Sequence, residues 1–354
     1  MQTTRELKFS DAIREATDQS MARDASVYLM GLGVPDPKGI FGTTLGLQEK
    51  YGPDRVMDMP LSENAMTGVA VGSALVGMRP ILTHQRIDFA LVAMEQMVNQ
   101  AAKWHYMFDG RAKVPLVIRL MIGRGWGQGP QHSQSLQSWF AHVPGLKVVM
   151  PTTAHDAKGL LAASIEDNNP VIFIEHRWLS NISDRVPEEY YTVPLGEARV
   201  MREGRDCTIV AASYMSMEAL RAAEFLSHQG ISAEVIDLRT IQPWDKDRVL
   251  ASVKKTGRLV VADTGGTSFG ISAEIVATVA ETLKEPLKAP PQRVASPDFP
   301  SPTSPALAAD YWPRAGHVAN AVRKTLGLDP SPEFLEVRSG QRLDVPDNSF
   351  KGPF

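Results

Sequence analysis

The chain has 354 residues, which is long for one domain and predicts two. Its 37 basic and 40 acidic side chains give a formal net charge of −3, so charge does not indicate nucleic acid or an anionic membrane as a partner. The single cysteine, Cys207, excludes an internal disulfide and is typical of a reducing compartment. No apolar run approaches the roughly 20 residues that span a bilayer, and residues 1–10 have no signal-peptide core, so we expect a cytoplasmic protein.

The first half of the chain alternates helix and strand patterns. Apolar side chains at helical spacing predict a helix over residues 9–22, and residues 27–30 are typical of a short buried strand. Residues 80–83 predict another strand, and residues 88–107 predict one long helix. Residues 114–121 form an apolar run that is typical of a fully buried parallel strand. This order of elements favours an α/β fold.

An apolar helix opens at Glu63, which is its only charged residue. Gly77 is expected at the C′ position of this helix. Gly68 and Gly72 lie four residues apart on one face, where another element can approach the backbone closely. Glu63 has two interpretations: an acid stabilised by the helix N-terminus, or a carboxylate held in a dry site that bonds to a ligand nitrogen.

A glycine-rich loop, residues 123–130, follows the predicted buried strand. Ligands in open α/β sheets bind at such carboxyl ends of strands. His132 comes next, and it is either an exposed, inert histidine or a proton donor that titrates near neutrality. Phe89, at the start of the predicted long helix, is either one more core residue or a contact to a cofactor.

The second half of the chain repeats the strand–helix pattern. We predict a first domain over residues 1–190, a linker over 191–204, a second domain over 205–328 and a polar tail over 329–354. Glycines at 265, 266 and 270 lack the Gly-x-Gly-x-x-Gly spacing, which excludes a dinucleotide loop of that kind. The tail is either disordered or reaches onto a partner subunit.

Several motifs together resemble one family of enzymes. They are Pro60-Leu61-Ser62-Glu63, Gly68-Val69-Ala70-Val71-Gly72, Gly77-Met78-Arg79-Pro80, Gln131-His132-Ser133-Gln134 and Leu238-Arg239-Thr240-Ile241-Gln242-Pro243. The chain resembles, over about residues 5–327, the beta subunit of the decarboxylating component of 2-oxo acid dehydrogenase complexes, such as pyruvate dehydrogenase. These are thiamine diphosphate enzymes of the transketolase superfamily. The resemblance implies two doubly wound three-layer domains, one binding the pyrimidine ring and one similar to the transketolase C-terminal domain.

The resemblance also implies roles for particular residues. Glu63 would bond to a nitrogen of the aminopyrimidine ring and drive it to the imino tautomer, with Phe89 packed on that ring. His84 would line the same pocket, in a wall where the family usually has phenylalanine. His132 would face the reacting carbon, and substrate contacts would come from Arg124, Gln131 and His132.

A turn in the first domain has two interpretations. In some family members the turn that matches Asp167-Asn168-Asn169 helps to hold a structural potassium ion, so Asp167 and Asn169 are candidate ligands. The alternative is an ordinary asparagine-rich turn.

The chain departs from the family at two points. Leu32 and Gly33 stand where the family has acids that line a path between two cofactors, which marks a divergent member. No Gly-Asp-Gly motif occurs, so magnesium and the diphosphate would be held by an alpha-type partner subunit in an alpha2beta2 heterotetramer. In such complexes the acceptor is a lipoyl group on an acyltransferase.

Two other functions stay open. A split transketolase would use Arg86, Arg124 and His84 to receive an anionic or sugar-like substrate. A non-catalytic assembly subunit would account for the lost acids at residues 32 and 33 and for the altered pocket wall at His84 and Ile87.

Overall fold

The apolar runs of the first half of the chain form parallel strands of one sheet. The computed structural model describes residues 4–125, 127–308, 311–334, 344–347, 350 and 352. The chain divides into two compact units. The first unit comprises Met1–Gly123 and Trp139–Leu195, and the second comprises Arg124–Ser138 and Gly196–Gly352. Each unit is described separately below.

The first unit contains eight described strands, most of them buried. They are β1 (Thr4–Lys8), β2 (Val27–Gly31), β3 (Val56–Met57), β4 (Arg79–His84), β5 (Val117–Ile122), β6 (Lys147–Val149), β7 (Val171–His176) and β8 (Ser183–Pro187). Its α-helices are α1 (Phe9–Arg23), α2 (Leu47–Tyr51), α3 (Glu63–Leu75), α4 (Ile87–Ala90), α5 (Ala102–Met107), α6 (Gln137–Ala141, which begins in the second unit) and α7 (Ala154–Glu166).

The main sheet of this unit runs in the order β6-β7-β5-β4-β2-β3, with every neighbouring pair parallel. The connection from β2 leads outward to β3, and the next one returns past β2 to β4. Because crossovers between parallel strands are right-handed, these opposite directions place helices on both faces of the sheet. Strands β1 and β8 pair with each other as a separate antiparallel ribbon.

Helix α3 ends as its sequence predicts. Gly77 has φ +100° and donates its N–H to the Ala74 carbonyl oxygen, while the Met78 N–H donates to the Ser73 carbonyl oxygen. This pair of bonds is a Schellman motif, which requires a left-handed residue at C′ and so favours glycine. The prediction of Gly77 as the C′ residue is confirmed.

The predicted long helix over residues 88–107 is helical but irregular. Helix α4 continues into a 3₁₀ turn at Leu91–Ala93, then a π-helix at Gln96–Ala101, and ends in α5. Ala93, Met97 and Ala101 are buried, as their spacing predicts, whereas Val92 is 67% exposed. The π-helix packs against α3, where a Cβ at Gly68 would lie 3.2 Å from the Gln96 Oε1 atom.

The second unit has the strand–helix alternation expected of its sequence. Its strands are β9 (Arg199–Arg202), β10 (Cys207–Ala211), β11 (Ala233–Asp237), β12 (Thr240–Gln242), β13 (Leu259–Gly266) and β14 (Gln292–Ser296). Its further helices are α8 (Tyr214–Ser227), α9 (Lys246–Thr256), α10 (Ile271–Thr282) and α11 (Ala315–Thr325). The sheet order β14-β13-β10-β11-β9 is parallel except for β9, which is an antiparallel edge strand.

The winding direction reverses in this sheet as well. The connection from β10 leads through α8 to β11, and the chain then returns past β10 to β13 and β14. Helices α8 and α11 contact each other, as do α9 and α10. The α/β class is therefore confirmed. Strand β9 lies inside residues 191–204, which the sequence treats as a linker.

Candidate active site

The winding of the first sheet reverses at the carboxyl ends of β2 and β4, which is where open α/β sheets form a ligand crevice. The loops after these strands touch, because the Gln85 amide donates to the Leu32 carbonyl oxygen at 3.1 Å. The loop after β3 joins them, since Asp58 accepts a hydrogen bond from the Gly33 N–H at 2.8 Å. The segments that carry residues 32–33, 58–63 and 84–89 therefore meet at one edge of the sheet.

Glu63 stands at this edge, as the first residue of α3. Its side chain is half-buried, and among the described residues its carboxylate has no hydrogen bond or ion pair. Its carbonyl oxygen accepts a bond from the Thr67 hydroxyl at 2.7 Å, which belongs to the helix itself. The Glu63 carboxylate is thus partly shielded from water and uncommitted, so it is available to a ligand at this edge.

His84 ends β4 and is 3% exposed. Burial lowers the pKa of this imidazole to about 4. Its Nε2 atom has no hydrogen-bond partner within the described part of the chain. Phe89 follows in α4 and is half-buried. The structure therefore places a neutral imidazole and an aromatic ring on the segment next to the crevice.

A buried ion pair joins the neighbouring strands β5 and β7. The Arg119 guanidinium, 0% exposed, donates its Nε to Glu175 Oε1 at 2.6 Å and its Nη2 to Oε2 at 2.9 Å. Nη2 also donates to the Thr43 hydroxyl at 2.9 Å. Because a buried charge without its partner is strongly destabilising, this pair fixes the segment of Thr43 against the sheet.

More positive charge gathers next to this pair. Arg177 is 2% exposed, and its guanidinium lies 5.2 Å from the centre of the Phe41 ring. Burial lowers the pKa of Arg177 to about 9. Repulsion from Arg86 adds to this shift, and attraction to Asp88 opposes it. Burial also lowers the pKa of Arg86, and Asp88 opposes that shift. The first unit thus holds two guanidinium groups and one carboxylate near each other at this edge.

The glycine-rich loop and His132 belong to the second unit. Gln131 and His132 are exposed and lie in a short 3₁₀ turn, Pro130–His132. Arg124 is 0% exposed and donates to the carbonyl oxygens of Pro302 at 2.8 Å and Thr303 at 2.5 Å. The guanidinium of Arg124 is therefore engaged in holding the chain together, and the substrate contact expected for it stays a prediction.

The turn at Asp167 is a network of hydrogen bonds. Asp167 Oδ1 accepts from the Asn169 N–H at 2.8 Å, and its Oδ2 atom accepts from the Lys147 ammonium. Arg79 donates to the Asp167 carbonyl oxygen at 3.1 Å and to Asn168 Oδ1 at 2.9 Å. Lysine and arginine thus supply positive charge here, and potassium binding by Asp167 and Asn169 stays a prediction. The described residues contain no group of three or more His, Cys, Asp or Glu side chains that could hold a metal ion.

Two family models match nearly the whole folded chain. The transketolase pyrimidine-binding domain matches residues 5–181, and the transketolase C-terminal domain matches residues 196–318. The chain belongs to this transketolase family. The two-domain α/β architecture that the motifs predict is thereby confirmed.

Curated relatives of this transketolase-family chain match it along almost their whole length. It is 47% identical, over 91% of this chain and 98% of the relative, to the beta subunit of acetoin:2,6-dichlorophenolindophenol oxidoreductase of Cupriavidus necator. The beta subunit of the same name from Bacillus subtilis is 40% identical, over 91% and 98%. Subunit beta-2 of the mitochondrial pyruvate dehydrogenase E1 component of Oryza sativa is 42% identical, over 90% and 86%. The resemblance to pyruvate dehydrogenase beta subunits is confirmed.

A solved structure has the same fold. The chain superposes on a protein titled split gene transketolase, inactive beta4 tetramer, with a TM-score of 0.75. Sequence identity is 24%, and the match covers 91% of this chain and 99% of that protein. At this identity the likeness concerns the fold alone.

Sequence patterns did not single out several buried ionisable groups of this transketolase-family chain. Arg119 lies inside the apolar run of β5 and Glu175 inside that of β7, and one charge of each sign in two neighbouring buried strands is a signal for an ion pair. Asp263, within β13, is 3% exposed and accepts from the Gln137 amide at 2.7 Å. Burial raises the pKa of Asp263, and hydrogen bonds oppose the shift. These pairs come from distant parts of the chain, so no local pattern reveals them.

The first unit fits the pyrimidine end of thiamine diphosphate. A half-buried, uncommitted carboxylate at a helix start and an aromatic ring on a neighbouring segment are groups that can hold a flat, nitrogen-bearing ring. The diphosphate end needs a magnesium site, and the sequence has no Gly-Asp-Gly motif that would supply one in the manner of the family. The chain thus carries groups suited to one end of the cofactor.

Proposed function

We propose that this chain is the beta subunit of a two-chain thiamine diphosphate enzyme that cleaves the bond between the carbonyl carbon and the carboxylate of a 2-oxo acid. The observation that carries the proposal is the uncommitted carboxylate of Glu63, half-buried at the first turn of α3 in a domain of the pyrimidine-binding family. When bound, thiamine diphosphate supplies a carbon nucleophile and an electron sink.

The residues of this chain would act mainly on protons and on orientation. Glu63 would share a proton with a ring nitrogen of the cofactor, in a site that partly shields the carboxylate from water. Phe89 would pack on the same ring, and His84 would line its pocket as a neutral imidazole. His132, on an exposed turn, would donate a proton or a hydrogen bond to negative charge that develops on the substrate.

The proposed enzyme needs a partner chain. An alpha-type subunit would hold magnesium and the diphosphate, in a two-plus-two heterotetramer, and a lipoyl acyltransferase would take up the product. Exposed apolar side chains on and near α3 support such a partner: Leu61 is 75% exposed, Val69 is 54% exposed and Val76 is 82% exposed. Exposed apolar side chains that lie near one another are typical of protein–protein interfaces. We assign this face to the alpha-type subunit.

A second substrate follows from two relatives. The relatives at 47% and 40% identity are named as subunits of an acetoin oxidoreductase. Acetoin is a neutral 2-hydroxyketone. Its cleavage also breaks a carbon–carbon bond at the carbonyl carbon, the one that joins this carbon to the hydroxyl-bearing carbon. Assay of the assembled enzyme with pyruvate and with acetoin, using an artificial electron acceptor, would distinguish the two substrates.

Replacement of Glu63 by glutamine tests the proposal. In the enzyme assembled with its alpha-type subunit, we expect Glu63→Gln to lower kcat by about two to three orders of magnitude, because an amide cannot share the proton. Urea unfolding should show a change in the free energy of unfolding below about 1 kcal/mol, since the carboxylate has no partner inside the described chain.

The matched control is Glu49→Gln. Glu49 is also an acid in the first turn of a helix of the first unit, and it is exposed. Its replacement should leave kcat within a factor of two. Turnover by Glu63→Gln at the wild-type rate would exclude the role proposed for this carboxylate.

A further inference from the structure

Residues 344–347, here called the C-terminal segment, lie outside the part of the chain that the family models match, yet two of them are buried. The C-terminal domain model ends at residue 318. Residues 344–347 are nevertheless described, and both Asp344 and Val345 are 1% exposed. Burial of a carboxylate requires compensation by charge or hydrogen bonds. The contacts of Asp344 therefore indicate what this segment does.

Two arginines of the second unit hold the segment. The Arg314 Nη2 donates to the Val345 carbonyl oxygen at 2.6 Å, and its Nη1 donates to the Tyr214 hydroxyl at 3.0 Å. The Arg124 Nη2 lies 3.5 Å from Asp344 Oδ2, and both of these side chains are within 1% of full burial. Since Arg314 precedes α11, it ties the segment to the core of the unit. Arg124 ties it to the glycine-rich loop.

Arg124 also links the start of that loop to a second part of the chain, at Pro302 and Thr303. Its guanidinium donates to the carbonyl oxygens of Pro302 and Thr303. Five residues further on, a Cβ at Gly129 would lie 2.2 Å from the Thr303 Oγ1 atom. The loop thus contacts the segment around Thr303 at both Arg124 and Gly129, and glycine at residue 129 avoids a clash with the Thr303 hydroxyl as it is placed.

The loop ends in the turn that presents His132. The His132 N–H donates to the Gly129 carbonyl oxygen at 3.2 Å, which closes the 3₁₀ turn Pro130–His132. A continuous series of contacts therefore links Asp344 to Arg124, to the loop and to this turn. Because the carboxylate and the guanidinium are both desolvated, neither can exchange its partner for water without a large cost.

We propose that Asp344 is a positioning residue, which fixes the glycine-rich loop through Arg124 and so orients the turn that carries Gln131 and His132. The C-terminal segment is then a built-in support of the candidate site. Its effect on turnover rests on the proposed function, whereas its effect on the loop does not.

Hydrogen exchange of the full chain tests the support directly. In Asp344→Asn, we expect the amides of residues 125–134 to exchange about tenfold faster than in wild type, because the loop loses a buried anchor. Trypsin should also cleave after Arg124, whose side chain is 0% exposed in wild type. A chain that ends at Leu328 should show both effects, and it lacks the segment altogether.

The matched control is Asp329→Asn. Asp329 is an exposed acid of the same C-terminal region, so its replacement makes the same change of charge. Exchange over residues 125–134 should equal that of wild type. Equal exchange in Asp344→Asn and in the shortened chain would overturn the proposal, provided that both unfold cooperatively in urea.

Kinetics of the assembled enzyme separate this inference from the proposed function. Asp344→Asn should lower kcat about tenfold or more while leaving the KM for thiamine diphosphate unchanged, since the segment supports the turn of His132 and not the pyrimidine site. Fast exchange in the loop with undiminished kcat would keep the support but contradict the role of His132. If Glu63→Gln loses activity but the loop of Asp344→Asn exchanges at the wild-type rate, the proposed function stands and the positioning role of Asp344 is excluded.

Discussion

Arg119 and His84 are both buried ionisable side chains, but one has a charged partner and the other is neutral. The buried Arg119 guanidinium has a partner, because Glu175 accepts two of its hydrogen bonds. His84 is equally buried, and no described residue bonds to its Nε2 atom. Its imidazole is therefore neutral in the fold, with the pKa lowered by burial to about 4. A neutral histidine beside the crevice adds a polar atom without adding charge.

The lowered pKa of His84 predicts a loss of stability in acid. The unfolded histidine titrates near pH 6.5 and the folded one at about 4, so the unfolded state binds more protons between these values. The free energy of unfolding therefore rises with pH across this window and falls as the pH is lowered through it. The free energy of unfolding of His84→Phe, relative to that of wild type, should therefore be about 2 kcal/mol higher at pH 4.5 than at pH 7.

Urea unfolding at several pH values measures this difference. The control is His84→Gln, which also cannot take up a proton but packs differently from phenylalanine. Both variants should show the same change of pH dependence, even if their stabilities at pH 7 differ. Wild-type and variant curves that run parallel from pH 7 to pH 4.5 would show that His84 is not held neutral.

Among the elements, α3 combines an apolar sequence with wide exposure. Gly72 is exposed, and a Cβ added there would meet nothing within 4 Å. A glycine inside a helix costs about 0.5–1 kcal/mol relative to alanine. No neighbour within the described chain needs this small residue, and Gly72 lies on the face that we propose for the alpha-type subunit.

Alanine at Gly72 should stabilise the isolated chain. We expect Gly72→Ala to raise the free energy of unfolding by about 0.5–1 kcal/mol, as measured by urea titration. Gly77→Ala is the contrasting variant, because φ is +100° there, and it should lower the stability by about 1 kcal/mol or more. If Gly72→Ala also weakens assembly with the alpha-type subunit, the open position is part of the interface. Destabilisation of the isolated chain by Gly72→Ala would mean that the space beside Gly72 is filled.

The elements that the sequence predicted well are those set by local chemistry. The end of α3 at Gly77 and the buried strand within residues 114–121 depend on one turn type and on one apolar run. Strands β8 and β9 were not predicted, since the segment after Arg177 carries prolines and charges and has no clear period. The π-helix at Gln96–Ala101 was not predicted either, because one wider turn barely changes the apolar spacing.

The same limit applies to the candidate site. Motifs along the chain pointed to Glu63, Phe89 and His132, whose roles stay predictions. The partners of Arg119 and Arg124 lie 56 and 220 residues away, at Glu175 and Asp344. Such contacts depend on how strands and loops meet in the fold, and no pattern in a single sequence encodes them locally.

At the scale of the whole molecule, each unit has its own sheet with reversed winding, and residues 344–347 belong to the second unit. No helix among the described residues is long and apolar enough to cross a membrane. The family models match both units but end at residue 318. Asp344 and Val345 lie beyond this limit, although Arg314, which donates to the Val345 carbonyl oxygen, lies within it. The family relationship therefore accounts for the two sheets. The family models do not include residues 344–347, so the contacts of these residues do not follow from that relationship.

The only cysteine reports on the core of the second unit. Cys207 is 0% exposed and packs among residues of β10, α8 and α11, which include Ala219, Val318 and Val322. Burial raises the pKa of its thiol to about 12, while a hydrogen bond with Thr325 opposes the shift. At pH 8 the folded chain should react with iodoacetamide at least about a thousandfold more slowly than the unfolded chain, because reaction requires both access and a thiolate.

Mass spectrometry of the labelled chain as a function of urea gives the measurement. Labelling should rise together with loss of far-ultraviolet circular dichroism, because the cluster around Cys207 contains the helices α8 and α11 that cover the sheet. The reaction in denaturant supplies the rate of the free thiol. Rapid labelling without urea would mean that this cluster opens locally, and that α11, which Arg314 precedes and links to the C-terminal segment, is not firmly packed.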